Sequence, residues 1–294
     1  MNPNDWLARE FEENRDRLRG VAYRMLGSAN EAEDAVQESW LRLARTGSDD
    51  IDNLSGWLTT VVARVCLDML RSRKSRREDS LDGNSMNGQP SEPAASRKHA
   101  ADPEQEALLA SSVGLALLVV LDRLNPAERL AFVLHDLFDV SFDEIASIVG
   151  RTPAATRQLA SRARRQVRGA KAPPQSDLSA QRGIVADFLT ALRGRDLQGL
   201  LSVLDPDLIV HADQAAGRAR EVRGAETWAR QAIVVSQGAR AAQLALVDGA
   251  VGMVVAPQGR LLLVLRFTMR EGRISEINVV ADPKRLAELN LAVL

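Results

Sequence analysis

The 294-residue sequence has little of several features that define protein classes. It contains one cysteine, Cys66, so a framework of disulfide bonds within the chain is excluded. It shows no signal-peptide pattern, and its apolar run LALLVVL at residues 115–121 is too short to cross a bilayer. The net charge is only −1, which argues against a protein that binds nucleic acid over its whole surface. We expect a cytoplasmic protein of two or three domains, with no membrane partner, metal or cofactor.

The positive charge is concentrated in short stretches, and one of them follows Gly150. Residues 151–171 hold seven basic residues and no acidic residue. The preceding segment predicts a short amphipathic helix that ends at Gly150, with Phe142, Ile145 and Val149 on one face, and Thr152 then caps a second helix. Two helices joined by a short turn that contains Gly are typical of a DNA-reading helix-turn-helix. The alternative is a solvated basic helix in an unrelated bundle.

The N-terminal residues 5–77 also have helical spacing. In EAEDAVQESWLRLAR, one side of the helix carries acidic residues together with the apolar Leu41, a combination that fits a basic partner. An ordinary solvated face explains the charge equally well. The later stretch GWLTTVVARVCLDMLRSRKSRR predicts a buried helix that ends in five basic residues between Arg71 and Arg77, which can hold phosphate. A solvated last turn that complements the helix dipole is the alternative there.

Two stretches rich in small and polar residues divide the chain. Residues 78–103 and 172–178 are predicted linkers, so we expect domains at 5–77, 104–171 and 179–294. In the last domain, helical segments precede alternating and β-branched runs that are separated by turn signals. That order predicts an α+β domain with a curved antiparallel sheet. From residue 175 onward, fourteen basic and thirteen acidic residues nearly balance, which argues against DNA binding.

One candidate pocket can be read in this last domain. His211 and Asp213 are two apart on a predicted strand and therefore share a face, with Trp228 on a nearby helix. A histidine and a carboxylate are the residue types of a general acid and base. We favour the alternative, a polar strand end.

The order of these parts resembles an extracytoplasmic-function (ECF) sigma factor of the sigma-70 family, from the SigJ-like group that carries a C-terminal SnoaL-like domain. EDAVQESWLRL resembles the polymerase-binding part of sigma region 2, and GWLTTVVARVCLDMLRSRKSRR resembles its promoter-opening part. RLNPAERLAFVLHDLFDVSFDEIASIVGRTPAATRQLASRARRQV resembles sigma region 4. The resemblance implies two all-α sigma domains, the second with the helix-turn-helix, followed by an α+β NTF2-like cone.

The resemblance also implies roles for single residues. The surface for the polymerase core would be Asp34, Gln37, Glu38 and Leu41. The −10 element would be contacted by Asp52, Asn53 and Ser55, with Arg64, Arg71, Arg73, Lys74 and Arg76 on the strand backbone. The −35 element would face Arg157, Gln158, Ser161 and Arg162, while Arg164, Arg165 and Arg168 would meet phosphate.

The implied function is the direction of RNA polymerase core to promoters, without enzymatic activity, and with the C-terminal domain acting in cis in place of an anti-sigma protein. The implied partners are the β′ and β subunits of the core, promoter DNA and an unknown small ligand of the C-terminal domain. Two alternatives stay open. One is a ligand-sensing helix-turn-helix regulator that acts without polymerase, and the other is a SnoaL-like cyclase or isomerase with a DNA-binding appendage.

Overall fold

The computed structural model describes residues 3–46, 51, 53–82, 114–169, 178–213, 220–234 and 236–294. These residues fall into two compact units. One is drawn from Met1–Val113 and Leu121–Arg164, and the other from Gly114–Val120 and Arg165–Leu294. No helix in the described part of the chain is long and apolar enough to span a membrane.

Three helices at the N-terminus pack around a common core. They are α1 (Pro3–Leu26), α2 (Ala29–Thr46) and α3 (Leu54–Asp82). The side chains that meet in the core repeat at helical spacing and are fully buried: Leu18, Val21, Met25, Ala32, Ala35, Leu43, Leu58, Val62 and Cys66. Gly27, with φ of 75° in the left-handed region, ends α1. Helix α3 continues five residues into the predicted linker, since no glycine or proline interrupts it before Gly83.

A second group of helices follows residue 113. It consists of α4 (Leu115–Asp122), α5 (Pro126–Phe132), a π-helical turn (Val133–Leu137), α6 (Phe142–Val149) and α7 (Pro153–Arg168). Helix α5 begins with proline directly after Asn125, because the fixed φ of proline suits the first position of a helix. Helices α6 and α7 are separated by three residues, so the predicted helix-turn-helix is present.

The C-terminal part combines helices with a seven-stranded sheet. Its helices are α8 (Leu178–Gly194), α9 (Leu197–Val203), α10 (Ala225–Val234) and α11 (Pro283–Glu288). Two 3-10 turns lie at Ser236–Ala241 and Pro257–Gly259. The strands are β1 (Leu204–Ala212), β2 (Arg220–Arg223), β3 (Ala242–Val247), β4 (Ala250–Val255), β5 (Leu263–Arg270), β6 (Arg273–Val280) and β7 (Leu291–Ala292).

The strand order is β2-β1-β6-β5-β4-β3-β7. All neighbouring pairs are antiparallel except β1 and β6, which are parallel. Register shifts in the β1–β6 and β5–β6 pairs bend these strands locally. The predicted antiparallel meander is found in β3–β6, while the parallel pair brings the first strand back beside the last long one.

The two faces of this sheet have different surroundings. On one face, Val210, Leu265 and Ile277 belong to a core with the helical residues Phe188 and Ala229. The opposite face carries polar residues on β1 and β6. Farther along that face, three paired valines are also buried, although they lie outside the core with the helices: Val254, Val264 and Val280. The helices thus cover one face of the sheet, and part of the other face is covered as well.

Candidate nucleic-acid interface

The outer side of α2 presents the residues that the sequence assigns to the polymerase core. Asp34 and Gln37 are exposed, and the apolar residue Leu41 is 52% exposed. Glu38 is half-buried and forms ion pairs with Arg42 at 2.9 Å and Arg45 at 3.8 Å. The apolar inner side of the same helix is buried, so this exposed side is free to bind a partner.

A shallow groove lies beside this surface, between α1 and α2. Its volume is about 210 Å³, and Phe11, Arg15, Gln37 and Trp40 are among its lining residues. The rings of Phe11 and Trp40 pack at 5.1 Å with a tilt of 57°. The helical spacing of α2 does not predict this groove, because it does not show what α1 contributes.

The start of α3 holds two of the residues assigned to the −10 element. The Asn53 side chain accepts a hydrogen bond from Gly56 N at 2.9 Å and so caps the helix, while its residue surface stays exposed. Ser55 is the second residue of the same helix and is half-buried. Asp52 lies outside the described residues.

The cationic residues of α3 divide into two groups. Arg64, Arg71 and Arg76 are exposed on the helix surface, where they can meet phosphate. Arg73 instead points inward: its Nη1 donates to the backbone oxygen of Leu26 at 3.2 Å, and its guanidinium pairs with Glu31. The structure therefore does not bring Arg73 together with the other three. The Lys74 side chain lies outside the described part.

The helix-turn-helix is built from strong local signals. Ser141 and Glu144 form a reciprocal capping box that starts α6, and Gly150 ends α6 with φ of 72° in the left-handed region. Thr152 Oγ1 accepts a hydrogen bond from Ala155 N at 3.2 Å at the start of α7, as predicted. The apolar side of α6 is buried, with Ile145 inaccessible to solvent.

Helix α7 exposes the residues assigned to base reading on one side. Arg157, Gln158, Ser161 and Arg162 are all exposed, and their spacing places them along one face of the helix. The opposite face is buried through Thr156, Leu159, Ala160 and Ala163. Exposed guanidinium and amide groups in this arrangement are able to reach base edges in a major groove.

The residues assigned to phosphate differ among themselves. Arg165 and Arg168 are exposed. Arg164 donates from Nε to Asp136 Oδ1 at 2.6 Å, and both side chains are partly shielded from solvent. An arginine held in this pair has less freedom to follow a phosphate than its two exposed neighbours.

The three residues of the candidate pocket in the C-terminal part contact different partners. His211 lies on the polar face of the sheet, with Nδ1 3.7 Å from Glu221 Oε2 and Nε2 3.6 Å from Glu276 Oε1. Trp228 stacks on Phe188 at 5.7 Å on the helix-covered face.

Asp213 follows the end of β1 and holds the chain near α11. Its carboxylate accepts a hydrogen bond from Ala281 N at 2.6 Å and pairs with Arg285 at 2.8 Å. Among the described residues, no group of three or more His, Cys, Asp and Glu side chains is placed to hold a metal ion.

Comparison with known proteins accounts for this arrangement. The sigma-70 region 2 model matches residues 11–76, and the sigma-70 region 4 model matches residues 114–167. The ECF RNA polymerase sigma factor SigJ of Mycobacterium tuberculosis is 36% identical over 294 residues, covering 94% of this chain and 92% of SigJ. The chain belongs to the ECF RNA polymerase sigma factors.

The chain is also similar to solved structures. The crystal structure of M. tuberculosis SigJ pairs with 95% of this chain and 98% of its own at 35% identity, with a TM-score of 0.45. An NTF2-like protein of unknown function from Cytophaga hutchinsonii pairs with 39% of this chain and 99% of its own at 14% identity, with a TM-score of 0.27. The predicted fold class is confirmed: helical sigma regions 2 and 4, followed by an α+β domain with a mostly antiparallel curved sheet.

Proposed function

We propose that this sigma factor directs RNA polymerase core to specific promoters and starts transcription there. The main support for the proposal is that α2, α3 and α7 each expose side chains suited to one step of promoter recognition by polymerase. Helix α2 offers an acidic and apolar docking side, α3 offers exposed cations, and α7 offers side chains that can read bases. A regulator that acts without polymerase would need only the last two. The protein would accordingly work in the cytoplasm, where it meets polymerase.

We assign the residue roles in this proposal from the side chains that these helices expose. The α2 surface of Asp34, Gln37, Glu38 and Leu41 binds the β′ subunit, and the β subunit of the core is a further partner. Asn53 and Ser55 contact the −10 element, with Arg64, Arg71 and Arg76 on its backbone. In α7, Arg157 and Gln158 read the −35 element, since Arg pairs well with guanine and Gln with adenine. We assign region 2 to residues 5–77, region 4 to 104–171 and the regulatory domain to 179–294, with linkers at 78–103 and 172–178.

We further propose that the C-terminal domain modulates promoter use in cis, through its contacts to both ends of region 4. These contacts lie within the second unit. Val293 N donates to the backbone oxygen of Val167 at 2.9 Å, in the last turn of α7. At the other end, Ala116 N in the first turn of α4 donates to Gln243 Oε1 at 2.9 Å. A change in the C-terminal domain would therefore reach the helix that reads the −35 element.

Direct contact explains such regulation better than catalysis. The ring of Phe188 packs between the helices and the sheet, with its centroid 5.7 Å from that of Trp228 and 5.3 Å from that of Phe267. His211 and Asp213 contact different partners, so they do not form an acid and base pair. These observations favour a regulatory domain without enzymatic activity.

Run-off transcription with purified core polymerase tests the proposal. The full chain and core are mixed with a library of genomic fragments, and the start sites are sequenced. Transcripts that begin at defined sites only when the chain is present support a sigma factor. High-affinity duplex binding by the chain alone, with no chain-dependent transcript, would contradict the proposal and favour a regulator that acts without polymerase.

A further inference from the structure

The Phe142 side chain contacts residues of two other elements: the π-helical turn and α7, the recognition helix that is assigned to reading the −35 element. Its ring centroid lies 3.8 Å from that of His135, with 33° between the ring planes. On α7, the guanidinium carbon of Arg157 lies 5.5 Å from the centroid of the same Phe142 ring. Three side chains from three different elements therefore form one contact chain that ends at a residue assigned to base reading.

The backbone around Phe142 fixes the position of its ring. Phe142 is the first residue of α6, directly after the Ser141 capping box, so its backbone is held by two reciprocal hydrogen bonds. His135 Nδ1 lies 3.1 Å from the backbone oxygen of Val140, which orients the imidazole beside the ring. The positions of the Phe142 and His135 rings are therefore fixed by contacts that do not involve Arg157.

The π-helical turn has a direct part in this arrangement. It spans Val133–Leu137 and carries both His135 and Asp136. A π turn inserts an extra residue into the helical repeat and so re-aims the side chains that follow, and such turns are frequent at functional sites. From this turn His135 reaches Phe142, while Asp136 reaches Arg164 of α7 at 2.6 Å. The same turn therefore supports the recognition helix at two points.

A free arginine at the surface samples many rotamers, and ordering it on binding costs free energy. A guanidinium that lies within about 6 Å of an aromatic centroid is attracted by the ring quadrupole and spends more time in that orientation. Arg157 is exposed, so this contact orders the guanidinium without removing it from the surface that faces DNA.

We propose that Phe142 is a positioning residue for promoter recognition, which holds the Arg157 guanidinium in the orientation that reads one base pair of the −35 element. This inference rests on the assignment of Arg157 to the −35 element. The ring itself need not touch DNA, and its role is to lower the cost of placing Arg157.

The test measures base-pair discrimination by the full chain with core polymerase. Run-off yields are compared on one promoter and on variants that change each −35 base pair singly. Arg157→Ala identifies the base pair that Arg157 reads. Phe142→Leu should then reduce discrimination at that same base pair by about two- to fivefold, the factor that an exposed cation–π contact supplies. Phe142→Tyr keeps the ring face and should restore discrimination.

Phe138→Leu is the matched control, because Phe138 is also half-buried and carries the Arg24 guanidinium over its ring at 5.2 Å. It should leave discrimination at the Arg157 base pair unchanged. Phe142→Met removes the ring with little loss of volume and serves if Phe142→Leu is too unstable to purify. In the Arg157→Ala background, Phe142→Leu should cause no further loss of discrimination.

The two hypotheses fail in different ways. If Arg157→Ala leaves discrimination unchanged at every −35 base pair, the assignment of Arg157 is wrong. Arg157→Ala could lower discrimination at one base pair while Phe142→Leu and Phe142→Met lower the run-off yield equally on all promoter variants. In that case Phe142 has only a structural role. Loss of discrimination in Phe142→Tyr equal to that in Phe142→Leu would overturn the role of the ring.

Discussion

The Nε atom of Arg129 in α5 donates a hydrogen bond to the backbone oxygen of Arg24 in α1, over 3.0 Å. Arg129 is 2% exposed, and its Nη1 lies 3.4 Å from Asp122 Oδ1. Burial lowers the pKa of Arg129 to about 10, so the side chain still carries its charge at neutral pH. Region 2 and region 4 thus meet at a buried cation, which the carbonyl end of α1 stabilises.

Two further contacts accompany this bond. Arg17 Nη2 donates to the backbone oxygen of Phe138 at 3.4 Å, and the Arg24 guanidinium lies over the Phe138 ring. In the proposed function, region 2 reads the −10 element and region 4 reads the −35 element, which are separate sites on the duplex, so we expect the two regions to separate when both are read. Such a separation would have to break the Arg129 hydrogen bond together with these two contacts.

Arg129→Ala should lower the free energy of unfolding of the first unit by about 3 kcal/mol, because it leaves the Arg24 oxygen and Asp122 without their donor. Urea unfolding followed by tryptophan fluorescence measures this change. Arg151→Ala, an exposed arginine of the same region, is the control and should shift stability by less than about 0.5 kcal/mol. Equal small shifts for both variants would show that the buried contact adds little.

Leu41→Ala should weaken binding to core polymerase by about tenfold and leave stability nearly unchanged. The reason is that Leu41 is 52% exposed on the α2 surface, so its truncation removes interface contact but little core packing. Anisotropy titration of labelled protein with core measures the affinity. Leu137→Ala, which truncates another exposed leucine, 37% exposed and in the π-helical turn, is the control. Equal affinities for wild type and Leu41→Ala would exclude Leu41 from the interface.

Arg71→Ala and Arg73→Ala should have different effects although the two residues are neighbours. Arg71 is exposed, so its loss should reduce the slope of log affinity against log salt by about 1 for holoenzyme on promoter DNA. Arg73 holds Leu26 and Glu31, so its loss should lower stability and leave that slope nearly unchanged. A slope that falls equally in both variants would show that Arg73 leaves its internal partners to bind phosphate.

Local signals predicted much of this fold from the sequence. The stop at Gly27, the start at Pro126 and the turn at Gly150 are encoded by single residues whose backbone preferences are strong. The buried sides of α2 and α3 follow from helical spacing alone. The exposed sides of α2 and α7, and hence most residues of the candidate interfaces, follow by the same reasoning.

Features that depend on distant pairing were not predictable. The parallel pairing of β1 with β6 joins strands about sixty residues apart, which no local periodicity encodes. Helical spacing predicts solvent-exposed positions for Arg73 and Arg129. Both side chains instead point inward, because each donates a hydrogen bond to a backbone oxygen in the last turn of α1. The π-helical turn has no sequence signal of its own, so the contact between Phe142 and Arg157 could not be predicted.

Gly169→Ala should displace the C-terminal tail from the end of α7. Gly169 has φ of 74°, and a Cβ atom there would lie 2.5 Å from the Cβ of Ala292. The substitution should expose residues 291–294 to carboxypeptidase and change transcription from a matched promoter in the full chain with core. Gly183→Ala, where a Cβ would meet nothing within 4 Å, is the control. Faster trimming with unchanged transcription would contradict regulation through this contact.

Cys66 should resist alkylation at pH 8 in the folded protein. Burial raises the pKa of its thiol to about 12, and the side chain is inaccessible to solvent. Because the pKa of the thiol is higher in the folded than in the unfolded chain, its contribution to stability is complete below about pH 8.5 and is lost as the pH rises toward 12. Unfolding in urea at pH 7, 9 and 10.5 should show a decline that is smaller in Cys66→Ala. Since Cys66 is the single cysteine, mass-spectrometric labelling follows this one thiol, and rapid labelling at pH 8 without denaturant would show that the core of region 2 opens readily.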